Sequence, residues 1–492
     1  MTYRFHLPLL ALLSLLPAHA QDVRITEGIA DYQVFQRGPD QTATLRFAGT
    51  ATGKKIAGKN IDARLVSGDA PLAGFDWTTV GKIQKTNTWT AELPAVPVGG
   101  PYRLEVRMQG SETVVSVSNL LVGDLWVLAG QSNMEGYGNL IDVQPPSPMV
   151  HNFEMSDRWT LAEEPLHTLV NAVDRVHWPL NADKEPERWT GGRLEKYRVD
   201  RRKGAGLGLS FAVEMANRTR IPIGLIPCAH GGTSMDQWDP ALKEHEGDSL
   251  YGSMLRRFRA SGGHVRGMLW YQGESDANPK AAEDFPRKFA DFIKTVRTDF
   301  GDAALPFYYV QLGRHIANTD MREWNQIQAA QLRAESEIPN VAMVASVDLQ
   351  LEDGIHVATP DLKRLGRRLA DLACHDLFPR AGDFAERKRG PRPIAAKVSG
   401  AVLRVTFSGV NGRLESEGRI AGFTIHDAAG EPIPRIFKAR VDPAEASTVL
   451  LYLTGKLPDR ATLRYGYTRD PYCNLHDAAD QAVPVFGPMT IE

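Results

Sequence analysis

Between Val122 and Phe378 the chain alternates short apolar runs with longer stretches of helical period. No other feature constrains the fold as much. The runs are LWVLAG (125–130), IPIGLIPCA (221–229), VRGMLWYQ (265–272), LPFYYVQLG (305–313) and VAMVASVDL (341–349). Each reads as a buried strand bounded by turn residues. Between them GLSFAVEMANRT (208–219), AEDFPRKFADFIKTVRTDF (282–300), WNQIQAAQLRAES (324–336) and DLKRLGRRLADLACHDLF (361–378) carry the helical pattern. Repeated strand–helix–strand alternation predicts an α/β domain over 121–378. Its sheet should be parallel with helices on both faces, and its ligand crevice should lie at the carboxyl ends of the strands.

The flanks read differently. From 21 to 120, stretches such as TATLRFAGTAT and YRLEVRMQGSETVVSVSNL alternate polar and apolar residues between turns, which predicts a small N-terminal β-sandwich. The same pattern returns from 394 to 492 in AVLRVTFSG, STVLLYLTG and ATLRYGYTRD and predicts a second small β-sandwich domain. The charged, proline-rich segment 379–393 between the α/β and C-terminal parts reads as a linker. With 492 residues the chain exceeds what one core accommodates, in keeping with several domains. Residues 141–203 are polar and irregular, with Trp159, Trp178 and Trp189, and read as an elaboration over the active face.

The first twenty residues combine Arg4, an apolar core from Leu7 to Leu16 and an Ala18-His19-Ala20 ending. That is the make-up of a secretory signal cleaved after Ala20, so export to a periplasm or the medium is expected. The apolar stretch is too short to span a bilayer of ~30 Å, and no membrane span is expected. A formal net charge of −2 gives no global field that favours nucleic acid. Cys228, Cys374 and Cys473 make no disulfide framework, although one bridge could form. The thirteen histidines show no HExxH or clustered ligand spacing, so neither a metal nor another cofactor is expected.

Four loops at the predicted carboxyl edge carry chemistry-bearing residues. Gly130-Gln131-Ser132-Asn133-Met134 places a serine at a strand end, where its hydroxyl and its own N–H face the same space. A serine there also serves as a helix cap. Asp353-Gly354-Ile355-His356 lets a carboxylate reach Nδ1 of an imidazole and turns the other ring nitrogen outward. WYQGESDAN (270–278) supplies the Gln272 amide and the Glu274 carboxylate. CAHGGTSMDQW (228–238) supplies backbone N–H groups at Gly231 and Gly232. All four end predicted parallel strands, so they converge, and convergence favours a nucleophile at Ser132. A base that must be neutral to accept its proton predicts activity that falls on acidification through about pH 6.5, the ordinary imidazole range.

The blocks GQSNM, CAHGGTSMDQW, WYQGESDA and DGIHVATPDLKRLGRRLA resemble those of the SGNH-hydrolase superfamily, in its branch of sialate O-acetylesterase-like and acetylxylan-esterase-related carbohydrate esterases. The resemblance runs from about Val122 to Leu377 and implies a flavodoxin-like three-layer α/β fold. It also implies an acetylesterase (a carboxylic ester hydrolase) acting on an acetylated oligosaccharide or polysaccharide. By the same resemblance Ser132 matches the nucleophile, His356 the base, Asp353 its orienting acid and Gln272 a side-chain oxyanion donor. Gly232 is the choice for the backbone donor, with Gly231 and Gly206 as competitors, and Glu274 is an alternative acid. Related chains often read Asp-x-His-Pro at the histidine, whereas here Val357 follows His356. Arg193, Arg314 and Arg322 are available for a sialate carboxylate. A catalytically inactive carbohydrate-binding protein on an esterase scaffold is the competing reading. The sequence does not decide among sialate, xylan, xyloglucan or other acetylated sugars, nor the oligomeric state.

Overall fold

Seven strands build the α/β part of the computed structural model, which describes residues 22–316, 321–379, 386–468 and 470–492. The expected signal segment therefore lies outside the described residues. The strands are β1 (Val115–Gly130), β2 (Val150–Phe153), β3 (Trp159–Leu161), β4 (Ile223–Pro227), β5 (Gly267–Tyr271), β6 (Phe307–Gln311) and β7 (Val341–Ala345). Their order in the sheet is β3-β2-β4-β1-β5-β6-β7, parallel throughout except for β3 at the edge. The sheet is α/β as the alternation requires, and the five apolar runs are its five central and adjoining strands.

The helices are α1 (Ser132–Glu135), α2 (Gly208–Thr219), α3 (Leu250–Ala260), α4 (Pro279–Asp299), α5 (Arg322–Glu337) and α6 (Thr359–Leu377). The Trp126 ring on β1 meets Phe211 of α2, while Trp270 on β5 meets Phe292 of α4. Trp270 sits opposite Ala129, three residues from Trp126. Side chains alternate along a strand, so the two tryptophans point to opposite faces, and α2 and α4 cover opposite sides of the sheet. α2 packs with α6, and α4 with α5.

Several elements depart from the sequence reading. β2 (VHNF) lies inside the segment read as irregular. It is only four residues long, and half of them are polar. It is nonetheless buried, because Asn152 donates to the Leu166 carbonyl and His151 bonds the Tyr32 carbonyl. α3 lies where the sequence pattern above places no helix. Its Leu250, Met254, Leu255 and Phe258 are buried at helical spacing, and that spacing is the signal that would have found it. A further helix, Gly191–Asp200, also falls in the irregular segment and buries no residue.

The described chain divides into two compact units, one made of residues 22–30, 44–96 and 102–120, the other of 31–43, 97–101 and 121–492. The first is antiparallel: Asp22–Glu27 pairs with Thr42–Thr52, and Asn60–Ser67 with both Thr78–Ile83 and Gly99–Met108. Leu45, Phe47 and Ala51 face inward at even spacing along their strand. The C-terminal strands, from Arg392–Ser399 to Phe486–Thr490, are antiparallel too, but they belong to the second unit. Their core includes Val347 from the loop after β7. Gln311 at the end of β6 exchanges two hydrogen bonds with the Val485 backbone. The segment 379–393 is not all linker. A strand begins at Arg392, whose guanidinium is paired with Glu335 of α5, while 380–385 lie outside the described residues.

The three cysteines are buried free thiols. No helix among the described residues is long and apolar enough to cross a membrane.

Candidate active site

Gly130 ends β1 with φ +134, and a Cβ there would sit 2.2 Å from the Tyr271 carbonyl oxygen of β5. Only glycine lets the chain leave the sheet at this point. The Gln131 N–H then donates to that carbonyl, and the chain turns into α1 with Ser132 as its first residue. As the first residue of a helix, Ser132 has an N–H with no acceptor inside the helix.

The loop after β7 brings His356 to this serine. His356 Nε2 is 2.9 Å from Ser132 Oγ, and His356 Nδ1 is 2.9 Å from Asp353 Oδ2. Burial would raise the Asp353 carboxyl, but the His356 ring, the His356 and Ile355 N–H groups and the Lys203 ammonium hold it far below the usual carboxylate range. An anionic carboxylate accepts only, so Nδ1 carries the proton and Nε2 offers its lone pair to the serine. Tyr137 stacks on the His356 ring with centroids 4.3 Å apart. Neither Lys203 nor Tyr137 was singled out in the sequence. Lys203 lies 150 residues from its partner, and no spacing rule finds such a contact.

Glu274 does not reach the histidine. Its carboxylate accepts from Asn133 Nδ2 at 2.9 Å. Asn133 in turn accepts from the Val357 N–H at 3.0 Å and lies 3.4 Å from the Ile355 carbonyl. The residue after Ser132 thus clasps both backbone neighbours of His356, and Glu274 holds the clasp. Burial pushes the Glu274 carboxyl up to about 7, against the lowering effect of Asn133. Its ordinary value is 4.5, so between these two values the folded chain binds a proton that the unfolded chain has lost, and stability falls as pH rises. Glu274→Gln should flatten the dependence of Tm on pH between about 5 and 7, removing a slope worth up to about 3 kcal/mol. Thermal melts at four pH values measure this, and an unchanged slope would refute it.

Gln272 is not where the resemblance put it. Its side chain is fully buried, and its amide nitrogen donates to the Thr233 carbonyl at 3.0 Å and to Asp276 Oδ2. An amide has two N–H donors, and both are spent here. Asp276 also accepts from the Met235 N–H, so Gln272 and Asp276 together brace the loop that follows β4. As it stands Gln272 shapes this loop and donates nothing toward Ser132.

Among the three glycines, the Gly231 N–H donates to Glu135 Oε2 at 2.7 Å and the Gly206 N–H to Glu164 Oε1 at 3.2 Å. Gly232 has φ +70 and open space where a Cβ would point, and its N–H meets no protein acceptor among the described residues. Gly231 lies against the serine, since a Cβ built on it would be 3.4 Å from Ser132 Cβ. Of the arginines, Arg193 is paired with Glu187, and Arg314 with Asp470 and the Leu349 carbonyl. Trp178 donates to the Ala172 carbonyl, and Trp189 packs between Arg193 and Tyr197.

Residues 122–375, a little over half of the chain, match the family model described as "Carbohydrate esterase, sialic acid-specific acetylesterase". A probable carbohydrate esterase of Arabidopsis thaliana is 29% identical over 269 residues, which cover 50% of this chain and 88% of that protein. The sialate O-acetylesterase of Homo sapiens is 23% identical over 295 residues, 54% of this chain and 55% of the human protein. The chain thus spans only about half the length of that relative. Among solved structures, a carbohydrate acetylesterase from Xanthomonas citri superposes with a TM-score of 0.63 at 24% identity, covering 94% of this chain and 99% of the other. That likeness establishes a shared fold. Through the match over 122–375, the chain belongs to the sialic acid-specific acetylesterase family of carbohydrate esterases and is a carboxylic ester hydrolase.

Proposed function

We propose that the protein is an exported carbohydrate O-acetylesterase that works through an acetyl-enzyme on Ser132. The single observation that carries this reading is the unbroken hydrogen-bonded series Ser132–His356–Asp353 at the carboxyl edge of the sheet. Ser132 Oγ attacks the acetyl carbonyl carbon while His356 Nε2 takes its proton. The tetrahedral oxyanion is held by the N–H groups of Ser132 and Gly232. The intermediate collapses with cleavage of the bond to the sugar oxygen, and the imidazolium returns its proton to that oxygen. Water, deprotonated by His356, then attacks the acetyl-serine, and acetate leaves as Oγ regains its proton. Asp353 keeps the imidazole in one tautomer and balances its charge in both halves. The completeness of this series speaks against an inactive binding scaffold. The basic, apolar and small-residue order of residues 1–20 supports export with cleavage after Ala20.

An acetylated glycan is the substrate class. The engagement of Arg193 and Arg314 elsewhere gives no support to a sialate carboxylate clamp built on them. Acetate release from acetylated sialosides, xylan and xyloglucan oligosaccharides tests the reading, using protein recovered from an exporting host with Gln21 as its first residue. At least one glycan class should be deacetylated by the wild type and none by Ser132→Ala. Failure on every glycan would remove the carbohydrate assignment.

A further inference from the structure

A chain of buried polar groups runs from Asp174 through Ser253 and His177 to His230, and the proposed reaction does not use it. Asp174 is 5% exposed and paired with Arg256 through both of its oxygens. It also lies 2.6 Å from Ser253 Oγ. A carboxylate held this way only accepts, so the Ser253 hydroxyl donates to it and has no second proton to give. Ser253 Oγ lies 3.1 Å from His177 Nε2, so that nitrogen carries the proton. His177 is buried and held neutral by that burial. Its Nδ1 is therefore a bare acceptor, and 3.2 Å away is His230 Nδ1, which must be the donor. The two rings stack with centroids 5.3 Å apart.

The order of donors fixes the tautomer at the far end. His230 carries its proton on Nδ1, and burial pushes this ring down to about 4, so it stays neutral in the neutral pH range. Nε2 is then a lone-pair acceptor. Among the described residues no protein donor meets it, and His230 is only half-buried, with Nε2 absent from the sealed polar atoms. The nitrogen therefore opens to solvent. Its backbone N–H is bonded to the Gly130 carbonyl at 3.1 Å, and the next residue, Gly231, lies against Ser132. An acceptor of set orientation is thus carried by the residue that precedes the glycine lying against Ser132, in a carbohydrate esterase family.

We propose that His230 Nε2 accepts a hydrogen bond from a free hydroxyl of the sugar ring that bears the acetyl group. The Asp174–Ser253–His177 series acts as a positioning chain that holds the acceptor tautomer. The preferred substrate is then a partially acetylated sugar with an unsubstituted hydroxyl near the ester, and a fully acetylated or deoxygenated neighbour is turned over less well. This rests on the carbohydrate esterase reading above.

The test is a cycle between enzyme and substrate. Wild type, His230→Phe and Ser253→Ala are assayed on a mono-O-acetyl methyl glycoside, on its analogue with the neighbouring hydroxyls O-methylated, and on p-nitrophenyl acetate. In the wild type, O-methylation should lower kcat/KM about ten-fold, the usual order for one lost hydrogen bond. In His230→Phe the monoacetate should lose about ten-fold and O-methylation should then cost nothing further, while p-nitrophenyl acetate stays within about two-fold. Ser253→Ala should give part of the same loss on the monoacetate alone. Should His230→Phe not fold, the wild-type and Ser253→Ala comparisons decide. Equal losses on all three substrates, or a wild type indifferent to O-methylation, overturn the proposal while leaving the esterase reading intact. A wild type that hydrolyses p-nitrophenyl acetate but neither glycoside overturns both.

Discussion

Ser132→Ala is expected to lower kcat for acetate release by about 10⁴–10⁶-fold, with the fold and substrate binding retained. The side chain makes one contact that matters to the structure, the 2.9 Å bond to His356, and alanine is at least as good a residue for the first turn of α1. What the substitution removes is the oxygen proposed to attack the acetyl carbon. The N–H groups at the edge of the sheet remain, so a small residual rate over the uncatalysed reaction should persist. Rapid-quench acetate release, with mass spectrometry for an acetylated enzyme, reads this directly. Wild type should carry the adduct early in turnover and the variant should not. A variant that still accumulates the adduct would move the nucleophile elsewhere.

Asp353→Asn is the second large effect, about 10⁴-fold in kcat. The loss comes from orientation rather than packing. The carboxylate lets Nδ1 keep its proton, and an amide can turn its own N–H₂ toward Nδ1 and push the proton to Nε2, where it blocks the serine. The half-exposed position of Asp353 makes the exchange tolerable to the fold. Glu274→Gln provides the contrast. It touches Asn133 and not the ring, so kcat should fall by less than about ten-fold, its main signature being the altered pH dependence of Tm. Steady-state assays on the two variants side by side decide which carboxylate serves His356. A larger loss at Glu274 would reverse the assignment.

The sheet was readable because its central strands are apolar on both faces and its main helices are long and amphipathic. β2 was not, because two of its four residues are polar and its burial depends on partners in distant segments. At the site, short-range relations were legible: Asp353 and His356 are three residues apart, and the four loop blocks end parallel strands. Gln272 shows where such reading stops. A buried amide can aim at the substrate or at its own loop, and its composition is the same in both cases. The Thr233 carbonyl and the Asp276 carboxylate, which accept from the amide, decide, with Asp276 itself held by the Met235 N–H, and they are set by packing. Lys203 and His177 were equally out of reach, since each meets its partner across long stretches of chain.

The grip of Asn133 on both sides of His356 has a mechanical consequence. Serine and histidine come from strands at different places in the sheet, and thermal breathing of that sheet would ordinarily vary the gap between them. Here Asn133, the residue after Ser132, accepts from the Val357 N–H, so the histidine segment is tied to the helix that carries the serine. Motion of the sheet should therefore carry Ser132 and His356 together and disturb the 2.9 Å separation between them less than that of two untied loops.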